Sequence, residues 1–122
     1  MKKVLMLAAL SEALTGLVLF AYPPIVIRLL FGSEIAGAGV LINRVAGISL
    51  IALGVACWPD HNTFWAFFGM LTYSLLAMLY LVCVGVNGGA GILLWPAAAA
   101  HADLSALLFL AWRKERQATQ MA

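Results

Sequence analysis

Charge is what this sequence lacks most. Only 10% of its 122 residues are Asp, Glu, Lys or Arg, whereas a soluble domain carries roughly a quarter charged residues. Hydrophobic residues make up 65% of the chain, and its mean hydropathy is +1.03. The net charge of +2 is too small and too dispersed to indicate nucleic-acid binding. The composition therefore predicts an integral membrane protein with a single membrane domain.

Cysteine and histidine are also scarce, with two of each. Cys57 and Cys83 are predicted at opposite ends of the membrane-spanning segments, which excludes an intrachain disulfide by distance. No group of residues has zinc-ligand spacing. His61 lies in a polar loop, so His101 has no second buried histidine with which to hold haem. Nucleotide-binding loops and Ser-His-Asp sets are missing too, so no metal and no catalytic residue is predicted. A non-enzymatic role is favoured.

Four apolar segments are long enough to cross a bilayer, and they predict an all-α, four-helix membrane bundle. Breaks at Pro23-Pro24, at Trp58-Pro59 and in the NGGAG turn at 87–91 separate them. The piece that follows the two prolines is too short to span and is predicted to be an interfacial helix. The expected spans are 4–22, 36–57, 64–86 and 92–112, with the interfacial helix at 25–31, in one domain of residues 1–122. A short loop predicts that the second and third spans pack as antiparallel neighbours, and a polar tail is expected after Trp112.

The two terminal segments decide the expected orientation. The first could pass for a secretory signal peptide, but Glu12 in its middle and its length favour a retained span. Five of the seven Lys and Arg residues lie near the two ends of the chain. The positive-inside rule therefore predicts a multi-pass protein of the bacterial inner membrane with both termini in the cytoplasm.

Ionisable residues inside the apolar segments predict a buried polar layer. Arg44 lies well inside the second span, where an exposed guanidinium costs ~2.5–3.5 kcal/mol on insertion scales. Another segment should therefore bring it a carboxylate, and both Glu12 and Asp103 lie about one helical turn from its depth. The predicted layer comprises Glu12, Asn43, Arg44, His101 and Asp103. Because His101 and Asp103 are two residues apart on a helix, one should face the bundle interior and the other a neighbouring helix or a partner chain.

Two interpretations of this layer stay open. It is either a clamp that fixes the order of the helices, or the lining of a ligand pocket or proton path. Tyr73 and Tyr80 share a face of the third span and, with Thr15 in the first, are candidate pocket-lining residues. Gly47 and Gly54 share a face of the second span, which predicts close helix packing.

Three stretches carry a resemblance to a known family: SEALTGL in the first span, two prolines followed by RLLFG, and NRVAGISLIALGVACW in the second span. Together they resemble small bacterial inner-membrane proteins of the DoxX-like kind. The resemblance implies a four-helix membrane fold and a role as an accessory subunit, in some members of quinone-linked oxidoreductases. More distant four-helix relatives bind or isomerise sterols with buried acids, but no catalytic residue carries over.

The leading hypothesis is a non-enzymatic accessory or assembly component of a larger membrane system. Its polar layer would organise the bundle, with a lipid or quinone headgroup as a candidate ligand and no other cofactor. Expected partners are the bilayer and either further copies of the chain or another membrane protein. The alternative is a proton-coupled transporter or lipid-modifying enzyme, in which Glu12 or Asp103 carries the proton beside Arg44.

Overall fold

The computed structural model describes residues 1–122 as five helices without strands. The helices are α1 (Lys2–Ala21), α2 (Pro23–Phe31), α3 (Ala38–Ala56), α4 (Thr63–Val86) and α5 (Leu94–Met121). All but α2 are long and apolar enough to cross a membrane. The prediction of an all-α membrane bundle with a short helix between the first two spans is confirmed.

The helix boundaries agree with the sequence prediction to within two residues, except at the end of α5. The polar residues after Trp112 do not form a separate tail but continue α5 to Met121, since none of them is a glycine or proline that would end the helix. A helix of this length covers about 42 Å, more than the hydrocarbon thickness of about 30 Å, so its polar end projects beyond the bilayer. The prolines at 23 and 24 occupy the first turn of α2, where no amide donor is needed.

The bundle consists of two helix pairs, α1 with α3 and α4 with α5. The α1–α3 pair is antiparallel and very close. A Cβ added at Gly47 would lie 2.6 Å from the carbonyl oxygen of Gly16, and one added at Gly54 would lie 2.6 Å from that of Ala9. The prediction of close packing at Gly47 and Gly54 is confirmed. The prediction that α3 and α4 pack against each other is wrong, because α3 packs against α1 through this glycine face.

A seam joins the two helix pairs, with α1 contacting both α4 and α5. Its lower half is an apolar core of fully buried side chains, which are Leu5 and Ala8 from α1, Phe67 and Met70 from α4, and Leu108 from α5. This half lies near the chain termini, and we call it the terminal end of the bundle. The outward faces of the helices are exposed and largely apolar, as expected where lipid surrounds the protein.

The short helix α2 closes the opposite end, which we call the α2 end. Its last carbonyl groups would lack intrahelical partners, but Gly91 N–H donates to Leu30 O at 2.8 Å and Leu93 N–H donates to Leu29 O at 2.8 Å. The C-terminus of α2 therefore meets the N-terminus of α5, where the two helix dipoles are complementary. α2 is thereby fixed against the start of the last span.

Candidate functional site

A cluster of three polar side chains lies in the seam, one from each of the helices that meet there. Glu12 comes from α1, Tyr73 from α4 and His101 from α5. Glu12 lies one turn beyond Ala8 and Ala9 on the buried face of its helix, so the helical period carries it into the seam. We call these three residues the Glu12 cluster.

The side chains of the cluster contact one another closely. Glu12 Oε1 lies 3.8 Å from His101 Nδ1, and their side chains are only 5% and 17% exposed. That distance is too long for a hydrogen bond, so the two groups are neighbours without a direct hydrogen bond between them. The Tyr73 hydroxyl faces the Glu12 carboxyl group, and the Tyr73 and His101 rings meet edge to face with centroids 5.8 Å apart. An acid, an imidazole and a phenol thus share one small volume.

The Glu12 cluster lies near the middle of the membrane-spanning region. Glu12 is ten residues from the start of α1, a helix of twenty residues, which places it about 15 Å from either helix end. Water cannot reach a carboxyl group at that depth without an opening in the protein. Ionisable side chains at such positions in membrane proteins are typically turned toward the bundle interior and are functional or paired.

One fully buried polar atom of the cluster has no hydrogen-bond partner. His101 Nδ1 is buried and unbonded, as is Ser74 Oγ on α4. Neighbouring hydroxyls do not supply the missing bond, since Ser105 Oγ donates to the carbonyl oxygen of His101 and Ser11 Oγ to that of Ala8, each at 2.8 Å. An unbonded buried nitrogen is costly. The Nδ1 atom can therefore form one further hydrogen bond.

The ion pair predicted for Arg44 is not present. Arg44 is exposed on α3 and takes part in none of the salt bridges of the chain. Its position is about 60° around the helix from Gly47, which is at the centre of the contact with α1. Glu12 faces α4 and α5, and α3 reaches the seam only at the terminal end, where Leu53 packs against the apolar core. The prediction failed because it matched depths along the helices without knowing which helix pairs would form.

Other residues of the predicted polar layer also lie outside the cluster. His101 faces inward and Asp103 is exposed, so the two lie on different faces, as the helical period requires. Asn43 is partly buried in the α3 face toward α1, and its side-chain amide donates to Gly39 O at 2.9 Å.

Of the candidate pocket-lining residues, only Tyr73 reaches the cluster. Thr15 is exposed and donates to Ser11 O at 2.8 Å, and Tyr80 is 64% exposed. Ser74 was missed by sequence reasoning, because a single serine in an apolar helix gives no signal of its surroundings.

The Glu12 cluster has the groups needed for two kinds of chemistry. Glutamate and histidine exchange protons, and a tyrosine hydroxyl can relay them. The same groups can hydrogen-bond a hydroxyl or carbonyl group of a lipid-soluble molecule. The three best-formed clefts of the surface are lined by other residues, and no cluster of three or more potential metal ligands occurs.

Together the helices and the cluster define a small four-span membrane protein with one buried Glu-His-Tyr site. No protein-family model matches the chain, and no curated protein or solved structure matches it. Functional argument therefore rests on the contacts of the chain itself.

Proposed function

We propose that the chain is a non-enzymatic accessory or assembly component of a larger membrane system, and that the Glu12 cluster is the clamp that joins its two helix pairs. The observation that carries this proposal is the position of the cluster. Glu12, Tyr73 and His101 come from the three helices that meet at the seam, and His101 contacts both of the others. These contacts fix α1 against both α4 and α5.

The low exposure of the cluster supports a structural role. With Glu12 and His101 almost enclosed, a substrate would have to separate the helix pairs to reach them. Interhelical polar contacts in membranes contribute about 0.6 kcal/mol each on average, and up to about 1.7 kcal/mol. A clamp of this size is enough to select one arrangement of two weakly joined pairs.

A double-mutant cycle tests the clamp. Glu12→Leu and His101→Leu each leave one buried polar group without its partner, and each should lower the free energy of unfolding in mild detergent by about 1–3 kcal/mol. The double variant removes both polar groups, so it should be much closer to the wild type than the sum of the two losses. Glu34→Leu, which removes an exposed acid paired with Arg28, is the matched control and should change little. Unfolding curves that do not move for either single variant would contradict the clamp.

The unbonded Nδ1 atom of His101 favours a second candidate function, the holding of a lipid or quinone headgroup. A hydroxyl or carbonyl oxygen beside the two groups could accept a hydrogen bond from His101 Nδ1–H, and a hydroxyl could in addition donate to Glu12, whose Oε1 lies 3.8 Å from that nitrogen. The resemblance of the chain to DoxX-like proteins, which include accessory subunits of quinone-linked oxidoreductases, is in keeping with such a ligand. If the carboxyl group instead exchanges protons during transport, Glu12→Gln should fold normally and abolish any pH-dependent transport.

Native mass spectrometry of protein extracted gently from its own membrane separates these functions. Headgroup binding predicts a molecule of defined mass on the wild type that is lost from His101→Leu and retained by Asp103→Asn. A wild type that carries no such molecule, together with a coupled double-mutant cycle, leaves the clamp as the role of the cluster.

We further propose that both termini face the cytoplasm of a bacterial cell. Arg113, Lys114 and Arg116 lie on the projecting end of α5, at the terminal end, where Phe64, Phe68 and Trp112 form an aromatic group typical of the headgroup boundary. Fluorescent-protein and alkaline-phosphatase fusions to the C-terminus test this. Fluorescence without phosphatase activity is expected, and the reverse result would invert the orientation.

A further inference from the structure

Two charged residues of opposite sign lie on the outside of the membrane-spanning region. Arg44 on α3 and Asp103 on α5 are both exposed, and neither takes part in a salt bridge. The exposed apolar residues that share their faces are Leu41 and Ile48 on α3, and Leu107 and Leu110 on α5. In a bilayer these faces would place a guanidinium and a carboxylate against lipid.

The two charges lie at similar depths. Arg44 is six residues from the start of α3 and Asp103 is nine residues from the start of α5, and both helices begin at the α2 end. The distances from that end are about 9 Å and about 14 Å, a difference of roughly one helical turn. The long side chain of arginine spans such a difference.

Asp103 has no route to water along its own helix. It lies about 14 Å from the start of α5 and about 14 Å from Trp112 at the other boundary, and its side chain is too short to reach either interface. A carboxylate in that position needs an opposite charge beside it. The single membrane-embedded cation of the chain is Arg44, which lies on another helix face.

We propose that a second copy of this chain docks against these faces, with Arg44 of one copy paired with Asp103 of the other. Copies inserted in the same orientation place α3 of one parallel to α5 of the next, because both helices run away from the α2 end. In that register Ile48 and Leu107 meet one turn further along. Ala99 and Ala100 on α5 are small and exposed, which allows the close approach that membrane helices require. This assembly does not depend on the role of the Glu12 cluster.

Charge reversal with mixing tests the pair. In Arg44→Asp alone, each interface would bring two acids together, and in Asp103→Arg alone two arginines. Each variant alone should lose association by roughly a hundredfold or more. Co-expressed with different tags, the two variants restore opposite charges at both kinds of contact and should co-purify as a mixed oligomer at wild-type yield. Photobleaching of labelled protein in nanodiscs counts the copies.

If a reversed charge prevents folding, variants that remove the charge still test the pair. Arg44→Gln and Asp103→Asn should both fold and associate more weakly than the wild type. Recovery of two unstable reversed variants by co-expression supports the pair. The proposal is overturned if the wild type is a single copy in nanodiscs, if the neutral variants associate as the wild type does, or if mixing gives no recovery. A different membrane protein co-purifying in place of the second copy would also overturn it.

Disulfide trapping locates the interface. In a Cys83→Ser background, one tagged chain carries Ile48→Cys and the other Leu107→Cys, and oxidation should link the two tags. Leu76, which is more exposed than Leu107 but lies on α4, provides the matched control Leu76→Cys, which should give no link. Equal trapping at both positions would mean random collision and would contradict the register.

Discussion

Helix α1 packs against α3 through small residues, and against α4 and α5 through larger and polar side chains. Toward α3 it presents small residues, and backbone approaches backbone so closely that a single added carbon at Gly47 would lie 2.6 Å from a carbonyl oxygen. Toward α4 and α5 it presents Leu5 and Ala8 and then the polar cluster of Glu12. One contact is uniform along its length, and the other changes from apolar to polar halfway.

The difference shows how a membrane bundle obtains both affinity and specificity. Lipid tails are as apolar as leucine, so burial alone drives helices together only weakly, and close packing of small residues supplies attraction. A glycine groove does not by itself select one partner. The Glu12 cluster does, since a buried acid and imidazole are tolerated only where they meet. We therefore expect substitutions in the groove to cost more stability than substitutions in the cluster.

The largest effect is expected from Gly47→Ala. The added methyl group would meet the carbonyl oxygen of Gly16 and the backbone of Phe20, neither of which can move without separating α1 from α3. We expect a loss of about 3 kcal/mol, at the upper end of the cost of overpacking, measured by thermal unfolding in mild detergent.

Gly39→Ala in the same helix is the matched control. The nearest atom to its added carbon is 3.5 Å away, in ordinary contact, and alanine favours helix over glycine by about 1 kcal/mol. The control should therefore be as stable as the wild type or more so. Equal losses at the two glycines would show that helix propensity and not backbone contact decides the result.

The next effect concerns the α2 end, where backbone also meets backbone. Gly91→Ala would push a methyl group into the carbonyl of Leu29 and break the hydrogen bonds from Gly91 and Leu93 to α2. We expect a loss of about 1–2 kcal/mol and faster hydrogen exchange of the Leu93 amide. If exchange is unchanged while stability falls, the damage lies in the turn itself and not in the attachment of α2.

The fold follows from apolar segments and breaks that the sequence displays openly. The pairing of the helices does not, because all four spans are apolar around their whole circumference. Depth could be counted along each helix, and it placed Arg44 near Glu12. Azimuth could not be assigned before the partners were known. Gly47 and Gly54 indicated a packing face on α3 but not which helix packs against it. Tyr73 could not be linked to Glu12 before it was known that α1 contacts α4 and α5.

Within the cluster, the hydroxyl group of Tyr73 can be tested alone. Tyr73→Phe keeps the ring contact with His101 and removes the hydroxyl that faces Glu12. We expect a loss of about 0.5–1.5 kcal/mol in unfolding free energy. Tyr80→Phe, on the same face of α4 but exposed, is the control and should be neutral. A neutral Tyr73→Phe would reduce the cluster to the Glu12–His101 contact.

The smallest effect is expected where α5 leaves the membrane. The guanidinium carbon of Arg116 lies 5.1 Å from the Trp112 ring centroid, and Trp112 packs edge to face against Phe68 of α4 at 6.2 Å. Arg116 is exposed, and an exposed cation over an aromatic ring contributes about 0.5–1 kcal/mol, so Arg116→Gln should lower stability by no more than that and shift Trp112 fluorescence. Lys114→Gln removes a neighbouring charge that does not contact the ring, and it should change neither the stability nor the Trp112 fluorescence. Because Arg116 and Trp112 both belong to α5 and neither contacts the Glu12 cluster, the Arg116 loss should add to that of Glu12→Leu without coupling. Coupling between them would mean that the polar and apolar halves of the seam behave as one cooperative unit.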